Sequence, residues 1–212
     1  MIRLEIWSDI VCPFCYIGKR HLEAALSQFE RRDEIQVVWK SFELNPMAER
    51  NPNIDVYENL SRKYGQSLAW AKQRSEEVAR SAAAVGLRFD FDRARPGNSF
   101  DAHRLVHLAD KRNLQDRAEE RLFAAYFTEG EQIGDPKTLH RIGVELGLDP
   151  KEVEKMLAGD DYTSEVRQEE EEAFSLGVTG VPFFLFNRKR AVSGAQPVET
   201  FLKALRTAWA EK

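Results

Sequence analysis

Cysteine is scarce in this chain, with only two residues among 212. A structural zinc site normally needs four ligands, so the cysteines alone cannot complete one. There is also no excess of basic residues: 31 Lys and Arg stand against 35 Asp and Glu, and no basic stripe typical of nucleic-acid-binding proteins is visible. No apolar run approaches the roughly 20 residues that a membrane-spanning helix requires. These deficits argue against nucleic-acid binding, a membrane anchor and a cysteine-based metal site.

The N-terminus lacks the pattern of a secretory leader. It begins Met-Ile-Arg-Leu-Glu-Ile-Trp, without a basic segment, a long apolar segment or a small-residue cleavage site. We therefore expect a cytoplasmic location, where a disulfide is catalytic or redox-sensing rather than structural. With 212 residues, 42% of them hydrophobic, the chain can form one large domain or a domain that carries a sizeable insertion.

The two cysteines form the motif Cys12-Pro13-Phe14-Cys15, which lies between a strand pattern over residues 2–7 and a helical pattern that follows. Unpaired N–H groups and about half a positive charge at a helix start favour a thiolate over a thiol. Two intervening residues place both sulfurs on one turn, close enough for a disulfide, and Pro13 suits the first turn because it has no N–H to lose. This context predicts a redox-active pair. Half of a zinc site, or two incidental cysteines, are the alternatives.

Hydrophobic periodicity predicts a βαβ segment, a helical block and a ββα segment. The first helix is expected over residues 12–31 and the second strand over 35–44. Apolar residues on both faces of that strand indicate a central strand. The block is expected to contain helices over 56–64, 67–85, 99–112, 115–128, 136–146, 150–158 and 161–176. A strand over 181–186, a turn, a strand over 191–193 and a helix that opens at Pro197 follow. The run from Glu169 to Glu172 is interpreted as a solvated helix face.

The two ends together predict a small mixed sheet with helices on both faces. The expected fold class is therefore α/β: a thioredoxin-like fold with a large all-helical insertion. Residues 1–45 and 178–212 are assigned to the thioredoxin-like domain, and residues 46–177 to the helical insertion.

Two motifs stand out: Trp7-Ser8-Asp9-Ile10-Val11-Cys12-Pro13-Phe14-Cys15 and Val178-Thr179-Gly180-Val181-Pro182-Phe183-Phe184. Together they resemble the DsbA family. The chain looks most similar to the FrnE-like branch, close to 2-hydroxychromene-2-carboxylate isomerases and kappa-class glutathione transferases. A weaker match is Asn98-Ser99-Phe100-Asp101-Ala102-His103-Arg104, inside the insertion.

The resemblance implies roles for individual residues. Cys12 would be the nucleophile and Cys15 the resolving thiol, with Pro13 and Phe14 supporting the site. Pro182 would be a cis-proline that faces the sulfurs, and the Val181 backbone would pair with a bound substrate; from the sequence alone, a trans proline at a strand start is an equal alternative. The expected substrate groove adds four residues: Asn98, His103, Ser193 and Gly194.

The main hypothesis is a thiol–disulfide oxidoreductase that works by mixed-disulfide exchange with protein or small thiol substrates. It needs no metal and no bound cofactor. Whether glutathione serves as a co-substrate is left open. The alternative is a glutathione-dependent isomerase or transferase acting on a small aromatic or polyketide-like molecule. Against it, those branches carry serine at the Cys12 position, and Ala195-Gln196 stands where they carry Ser-Asp. A non-catalytic redox sensor or partner-binding module is the third hypothesis. A homodimer is left open, and neither nucleic acid nor membrane is expected as a partner.

Overall fold

The structure is a computed structural model that describes residues 1–211, and it divides the chain into two compact units. The first unit comprises Met1–Leu44 and the chain from Val166 onward, and the second is Asn45–Glu165. The chain therefore returns to the first unit at residue 166, whereas the sequence analysis placed this boundary at residue 178. The physical reason is packing: Ala173 lies in a hydrophobic cluster of the first unit's sheet.

The secondary structure follows the predicted order. The strands are β1 (Ile2–Ser8), β2 (Ile35–Ser41), β3 (Phe183–Phe186) and β4 (Arg190–Ser193). The helices are α1 (Pro13–Gln28), α2 (Val56–Tyr64), α3 (Leu68–Ala83), α4 (Phe100–Asp110), α5 (Gln115–Ala124), α6 (Pro136–Glu145), α7 (Pro150–Ala158), α8 (Thr163–Ser175) and α9 (Val198–Ala210). A 3-10 turn lies at Arg32–Glu34, and a π-helical segment at Ala125–Glu129 follows α5.

The four strands form one mixed sheet in the order β2-β1-β3-β4. β1 runs parallel to β2 and antiparallel to β3, and β3 is antiparallel to β4. The predicted thioredoxin-like fold is confirmed, but the prediction that β2 is a central strand is wrong, because β2 lies at an edge and β1 is central. β2 also ends at Ser41 rather than at residue 44. Its partner β1 ends at Ser8, whose carbonyl oxygen accepts the Phe42 N–H at 3.1 Å.

Each face of the sheet has its own hydrophobic cluster, because successive strand residues point to opposite faces. On one face, Ile6 and Phe184 pack among residues of α1 and α9 that include Leu22 and Phe201. On the other face, Trp7 belongs to a cluster whose remaining buried members are Phe42, Ala173, Val178 and Leu185. Burying a large apolar side chain stabilises the fold by about 1.5–3 kcal/mol. The two clusters therefore hold β1 firmly from both sides, up to the point where the chain turns toward Cys12.

The acidic run in α8 is not a solvated face, and that interpretation is wrong for most of its length. Of its four glutamates only Glu171 is exposed. The Glu169 carboxylate accepts the Ser41 N–H at 2.7 Å, and the Glu170 carboxylate accepts the Glu43 N–H at 3.1 Å. An edge strand leaves outward N–H groups that need acceptors. Glu169 supplies an acceptor at Ser41, the last residue of β2, and Glu170 supplies one at Glu43 in the segment that follows the strand.

The second unit is helical throughout its regular elements. α4 packs against α5, α6 and α7. Its buried Arg104 donates to the Asp101 carboxylate at 2.8 Å and, through Nε, to the Asp161 carbonyl oxygen at 2.8 Å. This network ties the loop after α7 to the central helix of the unit. No helix among residues 1–211 is long and apolar enough to cross a membrane.

Candidate active site

Cys12 is the residue that caps the start of α1. Its backbone is extended, with φ −91° and ψ 112°, and Pro13 is the first helical residue. The Cys12 N–H donates to the Asp9 carbonyl oxygen at 3.0 Å, and the Cys12 carbonyl oxygen accepts the Cys15 N–H at 3.1 Å. The chain thus turns once between β1 and α1 and delivers Cys12 to the helix start, where the unpaired N–H groups of the first turn are concentrated.

Both cysteines are free thiols in the structure, and both side chains are almost fully buried. Burial raises the pKa of the Cys15 thiol well above its usual value, and the hydrogen bond and charge of the Cys12 sulfur raise that pKa further. The Asp9 backbone and the Ser8 side chain act in the opposite direction by hydrogen bonding, but they do not offset burial. Cys15 therefore remains protonated at neutral pH.

Pro13 and Phe14 form the exposed corner of the motif. Pro13 occupies the first helical position, where its missing N–H removes no helical hydrogen bond. Phe14 is 47% exposed although its side chain is large and apolar. An apolar side chain is thus presented to solvent between two buried thiols.

The loop before β3 lies opposite Cys12. The Cys12 sulfur donates to the Val181 carbonyl oxygen at 3.5 Å, and the Val181–Pro182 peptide bond is cis. Because this pair forms a loop, β3 begins at Phe183 rather than at residue 181 as expected. The structure therefore brings the cysteine motif and the Val-Pro motif together, as their joint assignment to one site requires.

Ser193 and Gly194 lie beside this loop. The Gly194 N–H donates to the Pro182 carbonyl oxygen at 2.8 Å. Gly194 has φ of 80°, a left-handed conformation that favours glycine. The Ser193 carbonyl oxygen accepts the Gln196 side-chain amide at 2.9 Å. Both residues are therefore within the network that holds Pro182.

Asn98 and His103 belong to the second unit. The Asn98 side chain accepts the Phe100 N–H at 2.9 Å and so orders the start of α4, and His103 is buried within that helix. Their assignment to a substrate groove stays a prediction.

Ser8 and Asp9 had no assigned role in the sequence analysis, although both lie in the stretch from Trp7 to Cys15 that resembles the DsbA family. The Asp9 carboxylate accepts the Val11 N–H at 3.3 Å and the Leu44 N–H at 2.7 Å. It thereby fixes the turn before Cys12 to the segment after β2. The signal that could have identified it is an acidic residue at the end of a buried strand, next to a motif that needs a defined turn.

No group of three or more histidine, cysteine or acidic side chains within residues 1–211 is arranged to hold a metal ion. The Cys12 sulfur interacts with the Cys15 thiol and with the Val181 carbonyl oxygen. Such a set can exchange sulfur–sulfur bonds and can hydrogen-bond a neighbouring chain.

A thioredoxin-like sheet, a Cys-x-x-Cys pair at the start of its first helix and a Val-Pro loop facing the first sulfur define the class of thioredoxin-like dithiol proteins. Residues 3–206 match the DSBA-like thioredoxin domain, so the chain belongs to the DSBA-like thioredoxin domain family. The family assignment made from the sequence is confirmed.

Three proteins are similar to this chain over nearly its whole length. A probable DsbA oxidoreductase from Streptomyces coelicolor is 41% identical, with a TM-score of 0.95 over 100% of this chain and 92% of that chain. The uncharacterized protein YwbO of Bacillus subtilis is 28% identical over 206 residues, which cover 96% of both chains. The cytosolic disulfide reductase DsbM from Pseudomonas aeruginosa is 20% identical, with a TM-score of 0.70 over 99% of this chain and 100% of that chain, and shares the fold.

Proposed function

We propose that this protein is a thiol–disulfide oxidoreductase that uses Cys12 and Cys15 to exchange disulfides with protein or small-molecule substrates. The observation that carries the proposal is the placement of two free thiols on one turn, with Cys12 at the start of α1 and facing the Val181 carbonyl oxygen at 3.5 Å. The 41% identical relative, which is described as a probable DsbA oxidoreductase, supports it.

In the proposed reaction the Cys12 thiolate attacks one sulfur of a substrate disulfide. A Cys12–substrate bond forms, the substrate sulfur–sulfur bond breaks, and the departing sulfur takes up a proton. Cys15 then loses its proton and attacks the Cys12 sulfur, which releases the second substrate thiol. The substrate has gained two electrons and two protons, and the protein has become the Cys12–Cys15 disulfide. The reverse sequence inserts a disulfide into a dithiol.

The unequal environments of the two thiols support this division of roles. Burial keeps Cys15 protonated, so it does not compete with Cys12 for the incoming disulfide. Only after Cys12 has formed a mixed disulfide does Cys15, one turn along the same helix, act on the bond beside it. A nucleophile that faces the Val-Pro loop and a protected resolving thiol are what a two-step exchange requires.

The direct test is catalysed reduction of insulin disulfides with dithiothreitol as the electron donor. The parent protein should accelerate insulin reduction, whereas Cys12→Ser should be inactive. Absence of turnover by the parent, together with a single stoichiometric oxidation of the thiols, would instead support the redox-sensor hypothesis.

The same protein preparation can be used to distinguish the proposed function from the glutathione-dependent alternative. Calorimetric titration with reduced glutathione should show no tight binding to an oxidoreductase of the proposed kind. Tight binding without a mixed disulfide would contradict the proposal and favour an isomerase or transferase. The cytoplasmic location stays a prediction.

A further inference from the structure

Gly18 is the point at which α1 approaches the Pro182 loop. A Cβ atom added to Gly18 would lie 3.2 Å from Pro182 Cγ, 3.2 Å from Phe184 Cζ and 3.5 Å from Ala195 Cα. Glycine is unfavourable inside a helix compared with alanine. Its presence one turn after Cys15 therefore costs helix stability and allows three neighbouring segments to come close to the helix.

His21 lies on the same side of α1, because residues three apart are neighbours on a helix surface. Its Nδ1 is 2.8 Å from the Gln196 carbonyl oxygen, and since a carbonyl oxygen only accepts, Nδ1 is the donor. The Gln196 side chain donates in turn to the Ser193 carbonyl oxygen, and the Gly194 N–H donates to the Pro182 carbonyl oxygen. A continuous series of contacts thus leads from His21 to the loop that faces Cys12.

We propose that Gly18 and His21 are positioning residues of the thiol site, which set how far the Val181–Pro182 loop lies from the Cys12 sulfur. The proposal rests on the proposed function, because it concerns how a polypeptide substrate lies against the Val181–Pro182 loop while its disulfide meets the Cys12 sulfur. Gly18 permits the close approach, and His21 holds the adjoining segment against the helix.

The expected consequence is a selective loss of substrate fit. A Cβ at Gly18 makes Pro182 and Phe184, each 3.2 Å away, move by a few tenths of an ångström, whereas the Ala195 Cα at 3.5 Å is in ordinary contact. Val181 moves with Pro182, so a long substrate that contacts the loop is misplaced relative to Cys12. A small alkylating reagent needs only access to the sulfur and should be nearly insensitive to the shift.

The experiment compares the parent with Gly18→Ala, His21→Ala and His21→Asn, in saturation kinetics of insulin reduction and in alkylation of Cys12 by iodoacetamide. We expect KM for insulin to rise about fivefold in Gly18→Ala and about threefold in His21→Ala, since small misplacements of reacting groups are costly. His21→Asn retains a side-chain N–H donor and should return KM close to that of the parent. Alkylation rates should stay within about twofold throughout.

The matched control is Gly143→Ala in α6. A Cβ at Gly143 would lie 2.8 Å from Val153 Cγ2, a tighter overlap than any at Gly18, but in the packing between α6 and α7. This variant should lose thermal stability and keep the parent's KM per folded molecule. An equal rise in KM for Gly143→Ala would mean that KM reports general destabilisation, and would overturn the proposal.

Amide hydrogen exchange of Gly194 gives a readout that does not depend on activity. Its N–H donates to Pro182, so exchange should be about tenfold faster in Gly18→Ala and His21→Ala, and should return toward the parent rate in His21→Asn. If Gly18→Ala does not fold, the two His21 variants decide the question. Unchanged exchange in His21→Ala would overturn the positioning role. If the parent shows no insulin reduction, the proposed function fails, while Gly194 exchange still decides the positioning role.

Discussion

The Cys12 thiol donates a hydrogen bond to the Val181 carbonyl oxygen across 3.5 Å, although the two residues are 169 positions apart in the chain. This contact joins the start of α1 to the loop before β3. It places a backbone acceptor beside the first sulfur of the motif, whereas the second sulfur is surrounded by Cys12, the Asp9 backbone and Ser8. The two thiols therefore differ in what they face, and the predictions below follow from that difference.

We expect Cys15→Ser to accumulate mixed disulfides with substrates and Cys12→Ser to accumulate few. In Cys15→Ser the nucleophile is intact and the resolving thiol is missing, so the intermediate persists. Non-reducing electrophoresis followed by mass spectrometry of the trapped species measures this. Trapping by Cys12→Ser instead would mean that the roles are reversed.

The resolving step should accelerate with pH through the neutral range. Burial, the largest cause of the raised Cys15 pKa, persists after Cys12 has formed a mixed disulfide, so only a small fraction of Cys15 is thiolate at neutral pH. Well below its pKa, the thiolate fraction rises about tenfold per pH unit. Single-turnover release of substrate thiol from a preformed mixed disulfide should follow this slope. A rate independent of pH would show that deprotonation of Cys15 does not limit resolution.

The raised Cys15 pKa also affects the stability of the reduced protein. The unfolded chain releases the thiol proton at a lower pH than the folded protein does, so the free energy of unfolding should fall as pH rises above the pKa of an ordinary thiol. Urea unfolding of the reduced parent at increasing alkaline pH measures the loss. Cys15→Ser provides the control, because it should lose less stability over the same range.

The reduction potential should lie between those of thioredoxin and DsbA, at about −270 and about −120 mV. The residues between the cysteines are Pro13 and Phe14, neither of which carries a charge that could stabilise the reduced pair. The interval of about 150 mV corresponds to roughly 7 kcal/mol, so a measured reduction potential shows clearly which of the two proteins this one resembles. Equilibration of the pair with a glutathione buffer gives the potential, and a value outside the interval on either side would refute this prediction.

Glu170→Ala should lower the free energy of unfolding by about 1–3 kcal/mol, because it leaves the buried Glu43 N–H without its acceptor. The change also removes the carboxylate that shares Arg167 with Glu43. Urea unfolding gives the difference. The neighbouring Glu171 is exposed, so Glu171→Ala should change stability by no more than about 0.5 kcal/mol. A loss in Glu170→Ala as small as that in Glu171→Ala would show that the contact of α8 with the segment after β2 contributes no measurable stability.

Two errors in the sequence analysis, the central position of β2 and the solvated acidic run of α8, share one cause: the position of a strand within a sheet leaves little trace in the strand's own residues. β2 was placed at the centre because both of its faces are apolar. In the structure Trp39 packs into the cluster shared with α1 and α9, while Lys40 forms ion pairs with Glu169 and Glu172 of α8. The same glutamates were assigned to solvent because acidic runs in helices are commonly solvated. Glu169 accepts the N–H of Ser41 at the end of β2, and Glu170 accepts the N–H of Glu43 just after it, so each depends on a partner more than 100 residues away in the chain.

The sequence by itself determined the local features: the order of strands and helices, the start of α1 beside Cys12, the spacing that puts Cys12 and Cys15 on one turn, and the two motifs that resemble the DsbA family. These follow from interactions between residues close in the chain, such as helix periodicity and proline at a first helical turn. Only the tertiary structure decided the non-local features. Among these are the Cys12–Val181 contact, the close approach at Gly18, the link from His21 to Gln196 and the burial that keeps Cys15 protonated. Each requires distant segments to meet at a defined distance, and that distance is set by the packing of the whole sheet and its helices.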